Sequence, residues 1–343
     1  VSRIQPALDR LCADVEALSG DLGLAVRPQD LGVLDRTGHL ALGAPGQRIS
    51  PNGACRLLRA ADGWVALNLA RPEDRGLVPA WLLTDFPDSE DEDGVWALAE
   101  AATLQHRCAD LVVQATLLGL PVSRVGEAEP KPAPFGLFGR GRSRSGPIRA
   151  IDLSALWAGP LCGAILAAMG AGVTRIESQR RPDPTRETTP AFYEALNGAK
   201  VHQALDLALP EDQSRLRAAV ADADVLITSA RPRALPSLGL EPDRMFSANP
   251  GLVWVAITGH GGDGDSARRV AFGDDAAAAG GLVDWTGAGP VFLGDALADP
   301  VAGLEAAREA LSALCDGRGG RLDVAMAGAA ARAAAVCGLG SAA

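Results

Sequence analysis

The chain has 343 residues, 48% of them hydrophobic, which is enough for two packed domains and too apolar for a disordered protein. Its 32 Lys and Arg against 42 Asp and Glu leave a formal charge of −10, which argues against nucleic acid as the partner, because phosphate backbones need a basic stripe. A phosphorylated small molecule is still allowed, since a few local cations or helix N-termini suffice for it.

The opening stretch VSRIQPALDRLCADVEALSG is amphipathic and charged, which predicts a helix over 1–20 and not a signal peptide. From residue 38 short apolar runs alternate with turn signals, and RLLRAADGWVALNL reads as two strands joined at Asp62-Gly63. DFPDSEDEDG (85–94) reads as an acidic, solvated loop, residues 95–118 return to helical spacing, and GLPVSRV looks like a short closing strand. Residues 1–128 are thus expected to form a small α+β domain. EPKPAPFGLFGRGRSRSGP (129–147) has no periodicity and reads as an exposed linker. Its cations Lys131, Arg140, Arg142 and Arg144 leave a phosphate-contacting loop as the alternative.

In 148–343 the rhythm changes. IRAIDL is a strand, GPLCGAILAAMG a helix, GVTRIE a strand, HQALDL follows, and then come the helix PEDQSRLRAAVADA, the strand DVLITS, the helical stretch ALPSLGLEPDRMFSAN and the strand GLVWVAITG. Strands alternating with helices predict a doubly wound, mainly parallel sheet, a Rossmann-like α/β domain preceded by the smaller one. Ligands in such sheets sit at the carboxyl ends of strands. The most apolar stretches, VAMAGAAARAAAVCGLG among them, fall short of the ~20 apolar residues of a membrane span, so no membrane partner is expected.

Several chemistries lack their residues. Gly159-Pro160 stands where a glycine fingerprint would bind NAD or FAD, and no P-loop or GxSxG elbow is present. The six cysteines (12, 55, 108, 162, 315 and 337) form no CxxC pair or Cys/His cluster. No metal site is therefore expected, and a reduced, cytoplasmic protein fits best. His39, His106, His202 and His260 are scattered, and His260 is the best placed, in the Gly-rich TGHGGDGD after a strand. GDALADPVAGLEAAREALSAL (294–314) carries Asp295 and Asp299 where a strand gives way to a helix. On pattern alone Asp299 followed by Pro300 is an N-cap with Pro at the first helical position, and a chemical role stays open beside that.

The second half resembles the class III coenzyme A transferases, the family of formyl-CoA transferase and carnitine CoA-transferase. The matching stretches stand in the family's order: AIDLSALWAGPLCGAILAAMGAGVTRIES, RRPDPTR, LNGAKVHQALDL, DVLITSARPRALPSLGL, NPGLVWVAITGHG, VFLGDALADPVAGLEAAREAL and GRGGRLDVAMAGAA. APGQRISPNGACRLLRAADGWVALNLARPED and LGLPVSRVGE resemble the family's small domain, which usually follows the large one and here precedes it. A circular permutation and a fragment of a tandem fusion both fit that order.

The resemblance implies an acyl-CoA:carboxylate CoA-transferase with Asp299 as nucleophile, since the family's aspartate is followed three and four residues later by a small residue and Gly, as Asp299 is by Ala302 and Gly303. The helix N-terminus is expected to favour its ionised form. CoA enters as substrate, with no permanently bound cofactor, and the co-substrate is a small carboxylic acid. Leu156, Trp157, Ala158 and Gly159 match the turn along the pantetheine, and Arg180, Arg181 and Lys200 are the expected phosphate contacts. Trp157 either limits the acyl group or packs in the core. TGHGGDGD and LALGAPGQ are candidate oxyanion loops, with a surface turn the plainer reading for each. The family's dimers imply a homodimer. Departures are Val201 beside Lys200, Ser229-Ala230-Arg231 after the third strand, and AFGDD, which puts Gly273 or Asp274 on the racemase branch's acid position with no His. An α-methylacyl-CoA racemase or CoA-dependent lyase, and a non-catalytic CoA-binding subunit, are the alternatives.

Overall fold

The computed structural model describes residues 2–85, 91–140 and 146–339. The first helix, α1 (Gln5–Asp21), places Ala7, Leu8, Cys12 and Val15 on one buried face. Although expected in the small domain, it packs into the core of the large one, as do Val26 and Val33 after it. The small domain proper begins with the hairpin β1 (Cys55–Ala60) and β2 (Gly63–Asn68). Ala60 pairs with Gly63, so the turn is Ala61-Asp62 rather than Asp62-Gly63. Gly63 stands in the strand, where a Cβ would come within 3.1 Å of Cys108 Sγ.

The short helix α2 (Val78–Leu82) is followed by α3 (Glu92–Ala102), capped by Asp91 Oδ1 accepting from Gly94 N–H at 2.8 Å, and by α4 (Cys108–Leu118). The acidic stretch thus ends as a helix start, while its residues 86–90 lie outside the described ones. Next, β3 (Val122–Arg124) joins β2 to complete a three-stranded antiparallel sheet, and Leu58, Val65, Trp81, Trp96 and Leu111 form the core beneath it.

The stretch expected as a linker is partly structured. Within it β4 (Phe135–Arg140) pairs antiparallel at the edge of the large sheet, and Arg142 and Arg144 lie outside the described residues. The large domain then runs β5 (Arg149–Leu153), α5 (Ala158–Ala168), β6 (Gly172–Ser178), α6 (Thr185–Thr188), α7 (Pro190–Asn197), β7 (Val201–Leu205), α8 (Pro210–Ala221) and β8 (Val225–Thr228). It continues through α9 (Pro242–Ala248), β9 (Val253–Thr258), α10 (Gly273–Ala279), the hairpin β10 (Val283–Thr286) and β11 (Gly289–Phe292), α11 (Ala298–Cys315), β12 (Arg318–Ala325) and α12 (Met326–Val336). Only the end of ALPSLGLEPDRMFSAN is α-helical. Pro236 and the left-handed Gly239 (φ 71°) break the rest into 3-10 turns.

The seven strands lie in the order β4-β12-β9-β8-β5-β6-β7, all parallel except β4. From β5 the chain first steps out through β6 and β7, then returns to β8 on the other side. The switch point between β5 and β8 is where a doubly wound sheet opens a crevice at its carboxyl ends. No helix among the described residues is long and apolar enough to cross a membrane.

Candidate active site

Two tight bends at the carboxyl edge position the site. After β5 the chain turns through Leu156 in the left-handed region (φ 68°), a conformation that costs a non-glycine residue about 1 kcal/mol or more. Its N–H is held by Asp183 Oδ2 at 2.9 Å, and that oxygen is fixed by the fully buried Arg175 at 2.7 Å. Helix α5 starts two residues later. Gly159 is required there, because a Cβ would overlap the side chain of Ser154.

The second bend precedes α11, where Ala296 is also left-handed (φ 45°) and donates its N–H to Asp274 Oδ1 at 2.7 Å. Asp299 does not cap this helix, contrary to the pattern reading. Leu297 is the N-cap, and Asp299 and Pro300 occupy the first turn, where the missing proline N–H breaks no intrahelical bond. Instead Asp299 Oδ1 accepts from Ala158 N–H at 3.3 Å, the first N–H of α5. The helices can approach this closely because position 303 is Gly. A Cβ there would lie 2.7 Å from Ala158 O and 2.8 Å from Leu161 Cδ2. On the far side Gly273, at the start of α10, leaves room for Asp299 Oδ2 that a Cβ would fill.

Asp299 borders a cavity of about 190 Å³ formed by the turns after β5, β8 and β9, with Leu156, Ala158, Gly159, Arg231 and Thr258 among its walls. A larger cleft, about 690 Å³, lies in the small domain between residues 43–59 and Glu100. No buried carboxylate lines it, whereas the smaller cavity has the half-buried Asp299 in its wall. LALGAPGQ faces that larger cleft, and its Gly43 and Gly46 N–H groups are taken by Pro51 O (2.7 Å) and Phe292 O (2.8 Å). In TGHGGDGD, Gly261 N–H is bound to Thr258 Oγ1 and Gly262 N–H to Asp323. Neither loop therefore presents those amides to a substrate. His260 borders a neighbouring cavity of about 370 Å³, contacts Ser123 Oγ at 3.3 Å, and is pushed down to about 3 by burial and then by Arg269.

Two further carboxylates, Asp274 and Asp295, act on Asp299 without lining the cavity. Asp299 is pushed up to about 7, first by burial and then by the charges of Asp274 and Asp295, against the opposing pull of Arg36 and the Ala158 N–H. Burial and neighbouring carboxylates thus outweigh the helix N-terminus that was expected to keep it ionised. Asp274 is raised to about 6 by burial and Asp295, opposed by Asn52, the Ala296 N–H and Arg36. Asn52 Nδ2 bridges Asp274 Oδ2 and Asp295 Oδ1, 2.7 Å from each, and Arg36 grips Asp295 with two bonds of 2.7 and 2.8 Å. Arg36 and Asn52 precede the large domain in the chain, and no pattern in the sequence links them to the aspartates.

The other expected contacts divide. Leu156, Ala158 and Gly159 line the cavity with Asp299. Trp157 turns into the core, 3% exposed, with Nε1 donating to Val33 O at 2.9 Å and its ring edge-on to Phe192, so of its two readings packing holds. Lys200 is a correction. Its three N–H bonds go to Asp152 Oδ2, Pro160 O and Asn197 Oδ1, each at 2.8 Å, and at 5% exposure it has no donor left for a phosphate. Arg180 is exposed and paired with Asp206 through two 2.8 Å bonds, and Arg181 is exposed and does not line the cavity.

A doubly wound α/β domain with a half-buried carboxyl group at the switch-point cavity is an arrangement that can carry covalent or acid–base chemistry on a small ligand. The chain belongs to CoA-transferase family III, whose model matches residues 147–338. It is 32% identical over 177 residues to a succinyl-CoA–D-citramalate CoA-transferase of Chloroflexus aurantiacus, covering 49% of this chain and 44% of that protein. It is 31% identical over 199 residues to a succinate–glutarate CoA-transferase of Agrobacterium fabrum, covering 52% and 50%. The crystal structure of a CaiB/BaiF family protein from Brucella suis superposes with a TM-score of 0.51 at 30% identity, covering 54% of this chain and 53% of that one. The chain spans about half the length of the relatives it matches.

Proposed function

We propose that the chain acts as an acyl-CoA:carboxylate CoA-transferase with Asp299 as nucleophile. The observation that carries this reading is the Asp299 carboxyl group, seated at the cavity between the first turn of its own helix and the first N–H of α5, and poised near neutrality. An ionised Asp299 oxygen attacks the thioester carbonyl, the C–S bond breaks, and CoA leaves as thiolate from an aspartyl–acyl anhydride. The thiolate then attacks the aspartyl carbonyl, releasing the first acid as carboxylate and leaving an aspartyl-CoA thioester. The acceptor carboxylate repeats the sequence in reverse, which restores Asp299 and yields the new acyl-CoA. Covalent catalysis of this kind divides one difficult exchange into easier steps.

In this reading the Gly159 N–H, in the first turn of α5, receives the developing oxyanion. The relatives' names support acyl-CoA donors and carboxylate acceptors, and the family resemblance supports a homodimer. All six cysteines are free thiols, four of them buried, in keeping with a cytoplasmic location. The test is incubation with a panel of acyl-CoAs followed by hydroxylamine and mass spectrometry of the peptides. A hydroxamate on the peptide containing Asp299, absent in Asp299→Asn, is expected. Transfer without it would remove Asp299 as the nucleophile, and binding of CoA without transfer to any acid would favour the non-catalytic reading.

A further inference from the structure

The cleft of about 690 Å³ in the small domain shares no lining residue with the cavity at Asp299. One of its walls, residues 47–50, runs beside β1 as a short extra strand. Ile49 bridges Arg56 there, Leu57 donates its N–H to Arg48 O at 2.8 Å, and Ser50 donates its N–H to Cys55 O at 2.8 Å. Gly46 N–H to Phe292 O (2.8 Å) and Phe292 N–H to Gln47 O (2.9 Å) tie the same segment to β11, so the wall is fixed from both sides.

Arg48, Arg56 and Arg59 line this cleft, and Glu100 is the one carboxylate among the lining residues. Arg56 takes that carboxylate, Nη1 donating to Oε1 at 3.1 Å, and lies over the Trp96 ring at 4.5 Å. Arg48 and Arg59 make no hydrogen bond or ion pair among the described residues. Both guanidinium groups instead lie over the buried Trp64 ring, 5.7 and 5.5 Å from its centroid. A chain with a formal charge of −10 has thus brought two unpaired cations to one ring. The repulsion between them is relieved by a bound anion. Beside them Ile49 and Leu104, 43% and 47% exposed, add apolar surface to the walls.

We propose that this cleft binds an organic diphosphate, whose linked phosphates meet Arg48 and Arg59 while its apolar or flat body covers Ile49 and Leu104. Guanidinium forks fit the paired oxygens of phosphate. A diphosphate concentrates its charge on two adjacent groups, which suits two guanidiniums sharing one ring, whereas a single anionic group leaves one of them uncompensated. The volume falls within the ~300–1,000 Å³ of pockets that enclose drug-sized ligands, so a body is expected as well as the anion.

Calorimetric titration of the full chain with ADP, AMP, inorganic pyrophosphate and citrate reads the site without turnover, so its outcome is independent of the transferase reading. ADP is expected to bind one-to-one, more tightly than AMP, which offers one phosphate, and more tightly than pyrophosphate, which has no body. Arg48→Gln and Arg59→Gln, both at exposed positions, should each weaken ADP by about tenfold, as loss of a charge-assisted hydrogen bond predicts, with melting unchanged. Leu104→Ser should weaken ADP by about threefold and leave pyrophosphate unaffected. ADP that still binds at saturating CoA identifies a free nucleotide as the occupant. Displacement by CoA, with CoA affinity itself falling in both arginine variants, identifies the diphosphate of CoA, and either result sustains the site. No ADP binding at millimolar concentration, or ADP binding indifferent to both arginine variants, would overturn the proposal. Citrate that bound as tightly as ADP and depended equally on Arg48 and Arg59 would also overturn it, by giving the cleft to polycarboxylates.

Discussion

Gly273→Ala isolates the geometry of Asp299, the proposed nucleophile, from its chemistry. The backbone at Gly273 is helical with negative φ, so alanine meets no conformational penalty and is the better helix former by up to about 1 kcal/mol. The obstacle is steric. A Cβ at this position would lie 2.7 Å from both Cβ and O of the left-handed Ala296, and closer still to Asp299 Oδ2. Real Cβ contacts stop near 3.0 Å, so the carboxylate must retreat by about 1 Å, a displacement that can cost on the order of 100-fold when it separates reacting groups. Ala296 is locked by Asp274, so Asp299 is the group that gives way. Overpacking should cost about 1–3 kcal/mol of stability, offset in part by the gain in helix propensity. Release of CoA thiol in the first turnover, followed with a thiol reagent, should slow by about two orders of magnitude, while melting falls by a few degrees. First-turnover release within threefold of the unaltered protein would refute the reasoning, because it would mean that Asp299 is not confined at the attacking position.

Asp299→Asn should abolish thiol release and yet stabilise the fold at high pH. A folded pKa near 7 against an ordinary 3.8 means that the native carboxyl holds its proton over that window, so its favourable contribution is complete below about pH 4 and is lost as pH rises through 7. A rise of that size bounds the effect at about 4 kcal/mol, and water in the cavity reduces it. Urea unfolding should show Asp299→Asn more stable by about 1–3 kcal/mol at about pH 8 and indistinguishable at about pH 4; an equal gain at both would contradict the assigned burial. Lys200→Met should destabilise by about 3–5 kcal/mol, because Asp152 keeps only Arg175 Nη1 at 3.5 Å as a cation partner. Its affinity for CoA esters should stay unchanged, and a variant that melted normally but bound CoA poorly would restore Lys200 as a phosphate contact.

How far the sequence could be read follows from the distance over which each feature is determined. The parallel strands carry their own evidence, since VLIT at β8 and VWVAIT at β9 are buried on both faces and read as apolar runs. The spacing from Asp299 to Gly303 could be read because its structural reason is local. Gly303, four residues on, is what lets α11 touch α5. Strand β4 was hidden in a Gly- and Pro-rich stretch, because its pairing depends on β12, and Gly139 is there to let Pro250 pass within 2.7 Å of a would-be Cβ. Lys200 misled for a related reason. A lysine after a helix looks free to reach a phosphate until the fold brings Asp152 under it, 48 positions back in the chain. The Asp62-Gly63 turn failed because Asp62 serves α4 instead, its Oδ1 accepting from Cys108 N–H at 2.7 Å.

The residues that sequence reasoning missed altogether are those that set the charge of the site. Asp274 and Asp299 are both raised by burial and by neighbouring carboxylates, and Arg36 is a cation that pulls each of them down. Arg36 belongs to the segment ahead of the small domain, and two further contacts hold that segment against α5: its guanidinium lies 4.9 Å above the Trp157 ring, and Trp157 Nε1 binds Val33 O. Asn52, nearer the hairpin, spans Asp274 and Asp295. The start of α5, which gives Asp299 its one N–H donor, is therefore packed against the same segment that carries its counter-charge. Lifting residues 33–36 would remove the cation whose pull lowers the Asp299 pKa and loosen the helix start together. The ionisation a nucleophile needs is thus a property of the contact between the large domain and the segment that precedes it, and neither part alone contains it.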